Sequence, residues 1–350
     1  MKRISDIDSN FRVNTELKKD GLSFYDIEKD PFSVYGIFKE DGKYRRLPEK
    51  VAKSISERVY HLHTNTAGGR VRFRTNSRRI AIIARMDHLG KMPHFAFSGS
   101  CGLDLYAREK NEDIYCGTFM PNLDIANGYE SIMELPDDKT KDITINFPLY
   151  SDIIDLYIGI DSHAALGKAE SYRRSKPIVF YGSSITQGGC ASRPGNSYQS
   201  ILSRQLNCDY INLGFSGAAK GEDEIADYIK DLDMSVFIMD YDHNAPSLEH
   251  LEKTHGKMFQ KIREKKKDLP ILILSRPKFY LDDDEKKRYA VIRRTYEIAF
   301  SAGDSNVYFL GGKSLMALAK DDGTVDNCHP NDLGFYSMAA AIGKVLKKII

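Results

Sequence analysis

The chain has 350 residues, more than twice the roughly 150 of a typical single domain, so two domains with sizeable cores are expected and a disulfide-stapled miniprotein is excluded. Apolar residues make up 41% and charged residues 29%, close to globular averages, which excludes a chain disordered throughout. With 51 basic and 49 acidic residues the formal net charge is +2, so bulk electrostatics favours neither nucleic acid nor an anionic membrane surface as a partner.

The opening MKRISDIDSN lacks the apolar stretch of a secretory leader, and no run approaches the roughly 18 apolar residues of a membrane span. A cytoplasmic location is the expectation; export would need a leader absent from this sequence. Cys101, Cys116, Cys190, Cys208 and Cys328 are scattered with no CxxC, which points to reduced thiols and no structural zinc. A Cys101–Cys116 bridge is conceivable only for an exported chain. His61 and His63 flank Leu62 at strand spacing, which would put both rings on one face, but no third metal ligand accompanies them.

Between residues 70 and 160 short runs alternate apolar and polar at period two: RVRFRT, RIAIIARM, HFAFSG, LDLYARE, DITINFPL and IIDLYIGI. Turn clusters such as Thr66-Ala67-Gly68-Gly69, Asn127-Gly128 and Asp137-Asp138 separate them, so residues 1–165 are predicted to form an antiparallel, all-β sandwich domain. After the basic connector GKAESYRRSK the pattern changes. Over residues 166–350 the apolar strands PIVFYG, YINLGF, SVFIMDYD, PILILSRP and NVYFLGG alternate with helical stretches at 197–206, 222–232, 247–265, 283–301 and 331–347. Five such units predict a five-stranded parallel sheet with helices on both faces, whose functional loops follow the carboxyl ends of the strands.

The first of these strands runs into Gly182-Ser183-Ser184-Ile185-Thr186-Gln187-Gly188-Gly189, where flanking glycines permit a sharp turn that lifts a hydroxyl to the sheet edge. Ser184 is a candidate nucleophile; a phosphate-cradling loop and a plain strand-to-helix turn are the rival readings, the former lacking the Gly-Lys-Ser/Thr ending. A serine hydroxyl needs a base. Asp326-Asn327-Cys328-His329, following the fifth strand, supplies an Asp able to fold back on a His within one turn, and Pro330 is expected at the first position of the last helix. Otherwise Asp326 and His329 are ordinary helix-start polar residues. Asn212-Leu213-Gly214-Phe215-Ser216-Gly217 ends the second strand and offers the Gly217 N–H as an oxyanion donor, and Asn244 after the third offers a side-chain amide. Their plain alternatives are a turn glycine and a cap for the helix starting near Ser247.

In that order these four blocks resemble the SGNH (GDSL-type) hydrolase superfamily over residues 176–350. The resemblance implies a flavodoxin-like three-layer α/β/α domain, with Ser184 as nucleophile and first oxyanion donor, Gly217 and Asn244 as the other donors, and His329 and Asp326 completing a triad. Two blocks depart from the pattern: Ser183 stands where the GDSL motif has Asp, and Asp242 and Ala245 replace the Gly and Asp around the Asn. In the amino-terminal half, Gly102-Leu103-Asp104-Leu105-Tyr106 with Phe147-Pro148-Leu149-Tyr150 resembles the sandwich of a bacterial SGNH subgroup with a Gly-x-Asp-Leu-Tyr signature. Asp104 and Tyr106 would point outward from a strand edge or make a buried Tyr hydrogen bond; alternatively the sandwich walls the substrate cleft.

The implied reaction is hydrolysis of short-chain acyl esters, with an O-acetyl group on a carbohydrate favoured by the resemblance, through an acyl-enzyme. It requires no metal or organic cofactor. The expected partner is a small-molecule or oligosaccharide ester; nucleic acid and membrane are not expected, and a homo-oligomer is compatible with the sequence. An acyltransferase using the same acyl-enzyme and a non-catalytic carbohydrate-binding protein are the alternatives. His243 is either a pocket-lining or a solvated loop residue, and Cys190 and Cys328 are expected as small buried apolar groups.

Overall fold

A computed structural model describes residues 17–350. The opening decapeptide discussed above lies outside them. In the amino-terminal half, one antiparallel sheet has the order Leu22–Asp26, Ile153–Asp161, Arg79–Met86, Gly128–Glu134. The other runs Leu166–Gly167, Arg70–Thr75, Lys141–Asn146, Leu103–Glu109, Glu112–Phe119, with Ser33–Tyr35 also pairing against Arg70–Thr75. Alternate residues face inward: Ile80 and Ile82, Leu103 and Leu105, Ile143 and Ile145, Ile158 and Ile160 form one buried cluster.

Three readings of this half need correction. HFAFSG is a turn followed by the short helix Phe97–Ser100, because its two aromatics serve different cores: Phe95 packs with the α/β domain and Phe97 with the sandwich. Residues 49–62 form two helices, Glu49–Ile55 and Glu57–Leu62, so the half is not purely β. His61 and His63 therefore do not share a strand face. His63 caps the second helix, donates from Nδ1 to Tyr60 O and accepts from Arg45 Nη1 at 2.7 Å, and burial lowers its pKa to about 4, which keeps it neutral.

The carboxyl-terminal half contains β1 (Arg174–Gly182), β2 (Cys208–Gly214), β3 (Val236–Asp240), β4 (Ile271–Leu274) and β5 (Val307–Leu310), all parallel in the order β2-β1-β3-β4-β5. The flavodoxin-like order and the five predicted helices are both present. Ile178 and Phe180 of β1 face α1 (Tyr198–Leu206) and α5 (Asp332–Ile349); Val179 and Tyr181 face α2 (Asp223–Asp231), α3 (Leu248–Lys265) and α4 (Asp283–Ser301). Among the described residues no helix is long and apolar enough to cross a membrane. Pro330 is not the first helical residue: the Asn331 side chain takes the cap by accepting from Gly334 N at 3.1 Å, and Pro330 instead bridges to Thr324.

The amino-terminal half packs onto both faces of this sheet. Leu47, Ala52 and Val59 join the core on one side, and Ala67, Phe95, Leu149 and Tyr150 join the other. Arg46 fastens the first contact. Its buried guanidinium lies over the Phe215 ring and donates to the carbonyls of Leu62 (2.7 Å), Asn65 (2.7 Å), Asn212 (3.2 Å) and Gly214 (2.5 Å). With no carboxylate bonded to it, burial lowers its pKa to about 9. Two of these carbonyls, those of Asn212 and Gly214, belong to the strand end that leads to Gly217.

Candidate active site

Glycine opens the Ser184 loop. A Cβ on Gly182 would lie 2.0 Å from Asp240 O and 2.2 Å from Thr186 Oγ1, so only glycine permits the close passage of β1 beside β3. Ser183 then caps a single helical turn, Ser184–Gln187, by accepting from Ile185 N at 3.2 Å, and Gly188 ends the turn at φ +105°. Ser184 sits at the first helical position, where its N–H has no intrahelical acceptor.

The last loop meets it. Asn327, at φ +64°, tightens the turn between Asp326 and His329. Asp326 Oδ1 accepts from Cys328 N (3.1 Å) and His329 N (2.7 Å), while Oδ2 accepts from the His329 ring Nδ1 at 2.7 Å. Burial pulls the Asp326 pKa upward, but the hydrogen bonds from His329 and Cys328 outweigh it and hold the carboxyl below its ordinary value, so it stays ionised at neutral pH. With Nδ1 protonated toward Asp326, the His329 Nε2 lone pair faces Ser184 Oγ at 2.9 Å. Thus residues 145 positions apart form a continuous Ser–His–Asp row.

Gly217 and Asn244 are tied to the same loop. Gly217 adopts φ +67°, and the preceding Ser216 N donates to Gln187 Oε1 at 3.0 Å, while Arg58 Nε donates to Ser216 O at 3.0 Å. Asn244 Nδ2 donates one hydrogen to Phe215 O at 2.9 Å, leaving its second free. The helix-cap reading of Asn244 fails, because Ser247 caps α3 by accepting from His250 N at 3.1 Å. The departure at Asp242 also has a structural use: its buried carboxylate accepts from Arg276 at 2.8 and 3.1 Å and from Arg288 at 2.7 Å, anchoring the turn that holds Asn244. Burial would raise the Asp242 pKa, yet the arginines bring it below the ordinary value.

Further residues surround this row. Gln187 bridges the Ser184 turn to Ser216 and also donates to Asn65 Oδ1 at 3.0 Å. Tyr150, from the sandwich, donates to Ser184 O at 3.2 Å. The His94 ring, also from the sandwich, lies 5.8 Å from the His329 ring. His243 is in contact with Cys328 (Nδ1 to Sγ, 3.7 Å), and burial, aided by Arg276, lowers its pKa to about 4. Cys190 is buried as expected, whereas Cys328 is only half-buried.

Asp104 overturns the expectation of an outward edge position. It is 0% exposed and accepts from Asn146 Nδ2 (2.8 Å), Arg193 Nη1 (2.9 Å) and Gly195 N (2.8 Å). Tyr106 OH also bonds Arg193, whose guanidinium stacks on Tyr115. The signature Asp and Tyr therefore clamp the sandwich to the segment that follows the Ser184 loop.

Residues 175–347 match the GDSL-like lipase/acylhydrolase family, and residues 22–166 match the GxDLY family, the N-terminus of SGNH hydrolase-type esterases. The chain belongs to the SGNH/GDSL-type esterases. A GDSL-like lipase from Bacteroides ovatus is similar at 28% identity and TM-score 0.84, covering 94% of this chain and 98% of its own. A salicylyl-acyltransferase from a tetracycline biosynthetic pathway shares the fold at 19% identity and TM-score 0.73, covering 95% and 99%. A family two carbohydrate esterase from Clostridium thermocellum, in complex with cellohexaose, shares it at 13% identity and TM-score 0.56, covering 81% and 92%. No curated protein sequence matches this SGNH-type chain.

Proposed function

We propose that the protein hydrolyses short-chain acyl esters, foremost O-acetyl esters of a carbohydrate, through an acyl-enzyme on Ser184. The observation that carries this reading is the 2.9 Å approach of Ser184 Oγ to His329 Nε2 with Asp326 behind the ring. His329 takes the Ser184 proton as Oγ attacks the acyl carbon, and Asp326 stabilises the imidazolium that forms. The Ser184 and Gly217 N–H groups and the free hydrogen of the Asn244 amide receive the negative oxygen; loss of one such donor costs roughly 10²- to 10³-fold in rate. His329 then protonates the leaving alcohol, and water repeats the cycle on the acyl-enzyme.

Two features support a short acyl group and a polar alcohol. The segment between β5 and His329 carries only the short helical turns Gly312–Leu315 and Lys320–Gly323, neither large enough to cover the site as an apolar lid. The relay is open to water, with His329 and Asp326 side chains 23% and 36% exposed. The likeness to carbohydrate esterases supports a sugar on the alcohol side.

Acetyl, butyryl and octanoyl p-nitrophenyl esters, with acetate release from acetylated xylo-oligosaccharides, test the reading. The expected kcat/KM is highest for acetyl and falls by roughly tenfold or more at octanoyl, since each unaccommodated methylene costs about 1–3 kcal/mol. A preference for octanoyl would contradict it. Transfer of the acyl group to an added alcohol in preference to water would instead identify an acyltransferase.

A further inference from the structure

The cysteines and histidines show no metal-ligand spacing in sequence, yet the fold brings three of them together at the mouth of the site. One ligand atom each from His94, Cys190 and His329 lies within 4.8 Å of the others. His94 is exposed, and the adjacent Phe95, buried edge-on against the Tyr150 ring at 5.2 Å, holds its loop in place. Cys190 follows the nucleophile turn with φ +74°, a left-handed conformation that a non-glycine residue adopts at some cost and that fixes where its side chain projects. His329 has Nδ1 committed to Asp326, so Nε2 is its available lone pair.

Two imidazoles and a thiol form a soft donor set suited to zinc and unsuited to magnesium or calcium. Tetrahedral zinc with bonds of about 2.0–2.3 Å places its ligand atoms roughly 3.3–3.6 Å apart, so a closure of about an ångström, available to the exposed His94 ring, completes the site. We propose that His94, Cys190 and His329 Nε2 form an inhibitory zinc site, with water or Ser184 Oγ at the fourth position. On binding, the Cys190 thiol loses its proton to solvent as the sulfur–zinc bond forms. Zinc also takes the His329 Nε2 lone pair, so the Ser184 hydroxyl loses its acceptor and the esterase stops. Burial, with Asp326 and Cys328 adding to it, pushes the Cys190 thiol up to about 12, so the metal-free site is neutral at this sulfur and zinc competes with a proton there. Inhibition rests on reading His329 as the base, whereas metal binding does not.

Cobalt and zinc titrations of the EDTA-treated full chain separate the two statements. Cobalt is expected to produce a near-ultraviolet thiolate-to-metal charge-transfer band that zinc abolishes and that Cys190→Ser lacks. Zinc, and not magnesium, is expected to lower p-nitrophenyl acetate turnover at least tenfold, reversibly with EDTA. His94→Ala, at an exposed position, should raise the half-inhibitory zinc concentration by about tenfold or more. Absence of the cobalt band, or zinc affinity unchanged in both variants, overturns the site. A thiolate band accompanied by undiminished turnover overturns the inhibitory role of the site, whereas the assignment of His329 as base falls only if metal-free His329→Ala keeps full turnover.

Discussion

Ser184→Ala is expected to lower kcat for p-nitrophenyl acetate by roughly 10⁴- to 10⁶-fold, as removal of a relay's nucleophile does elsewhere, while the urea unfolding midpoint barely moves. Ser184 is buried, 8% exposed as a residue, and its hydroxyl bonds the His329 ring alone, so deletion leaves no other group without a partner. Alanine suits the first turn of a helix, and the cap is provided by Ser183, which is untouched. The neighbouring serine is the control. Ser183→Ala removes the hydrogen bond to Ile185 N and should cost about 1 kcal/mol of stability with a far smaller loss of turnover. If Ser184→Ala kept more than a tenth of the activity, the hydroxyl could not be the nucleophile.

Asp104→Ala is expected to produce the largest loss of stability, about 3–5 kcal/mol from the urea unfolding midpoint, because it leaves the Arg193 guanidinium and the amides of Asn146 and Gly195 facing a cavity. That is a large share of a typical domain's total stability of about 5–15 kcal/mol. Removing both charged partners should hurt less: Asp104→Leu combined with Arg193→Met is expected to be more stable than Asp104→Ala alone, since it leaves no buried charge unpaired. A loss below about 1 kcal/mol in the single variant would mean that the signature Asp does not carry the contact between the halves.

How much of this was legible follows from the range over which each residue acts. The five parallel strands and their helices were readable because strand and helix periods are local, and Asp326 with His329 because three residues suffice to fold the carboxylate back onto the ring. Pairing Ser184 with His329 required only that both lie at carboxyl ends of strands in one sheet. The five-stranded parallel sheet flanked by helices and the β-rich half before it match the expected fold class, and Leu166–Gly167 pairs with Arg70–Thr75. Asp104 was misplaced because alternation assigns a side chain to a face and is silent on what covers that face. Here the cover is Arg193, which lies 89 residues away in the other half. Helices 49–62 were missed for the same reason: Ala52 and Val59, with Leu47, bury themselves in a core whose remaining buried residues run from Val179 onward. Arg46 looks like one more surface cation in a charged chain, yet the carbonyls at the end of β2 make it a buried strut. Pro330 lost the expected helix-start position because Asn331, one residue on, is the better cap.

Fluorophosphonate labelling followed by peptide mass spectrometry tests the central claim most directly, because the reagent needs both an activated hydroxyl and a place for its negative oxygen. The expected result is a single adduct on Ser184, formed at a rate that falls at least a hundredfold in His329→Ala and in proportion to the loss of ester turnover. An adduct on another residue, or full ester turnover with Ser184 unlabelled, would contradict the assignment.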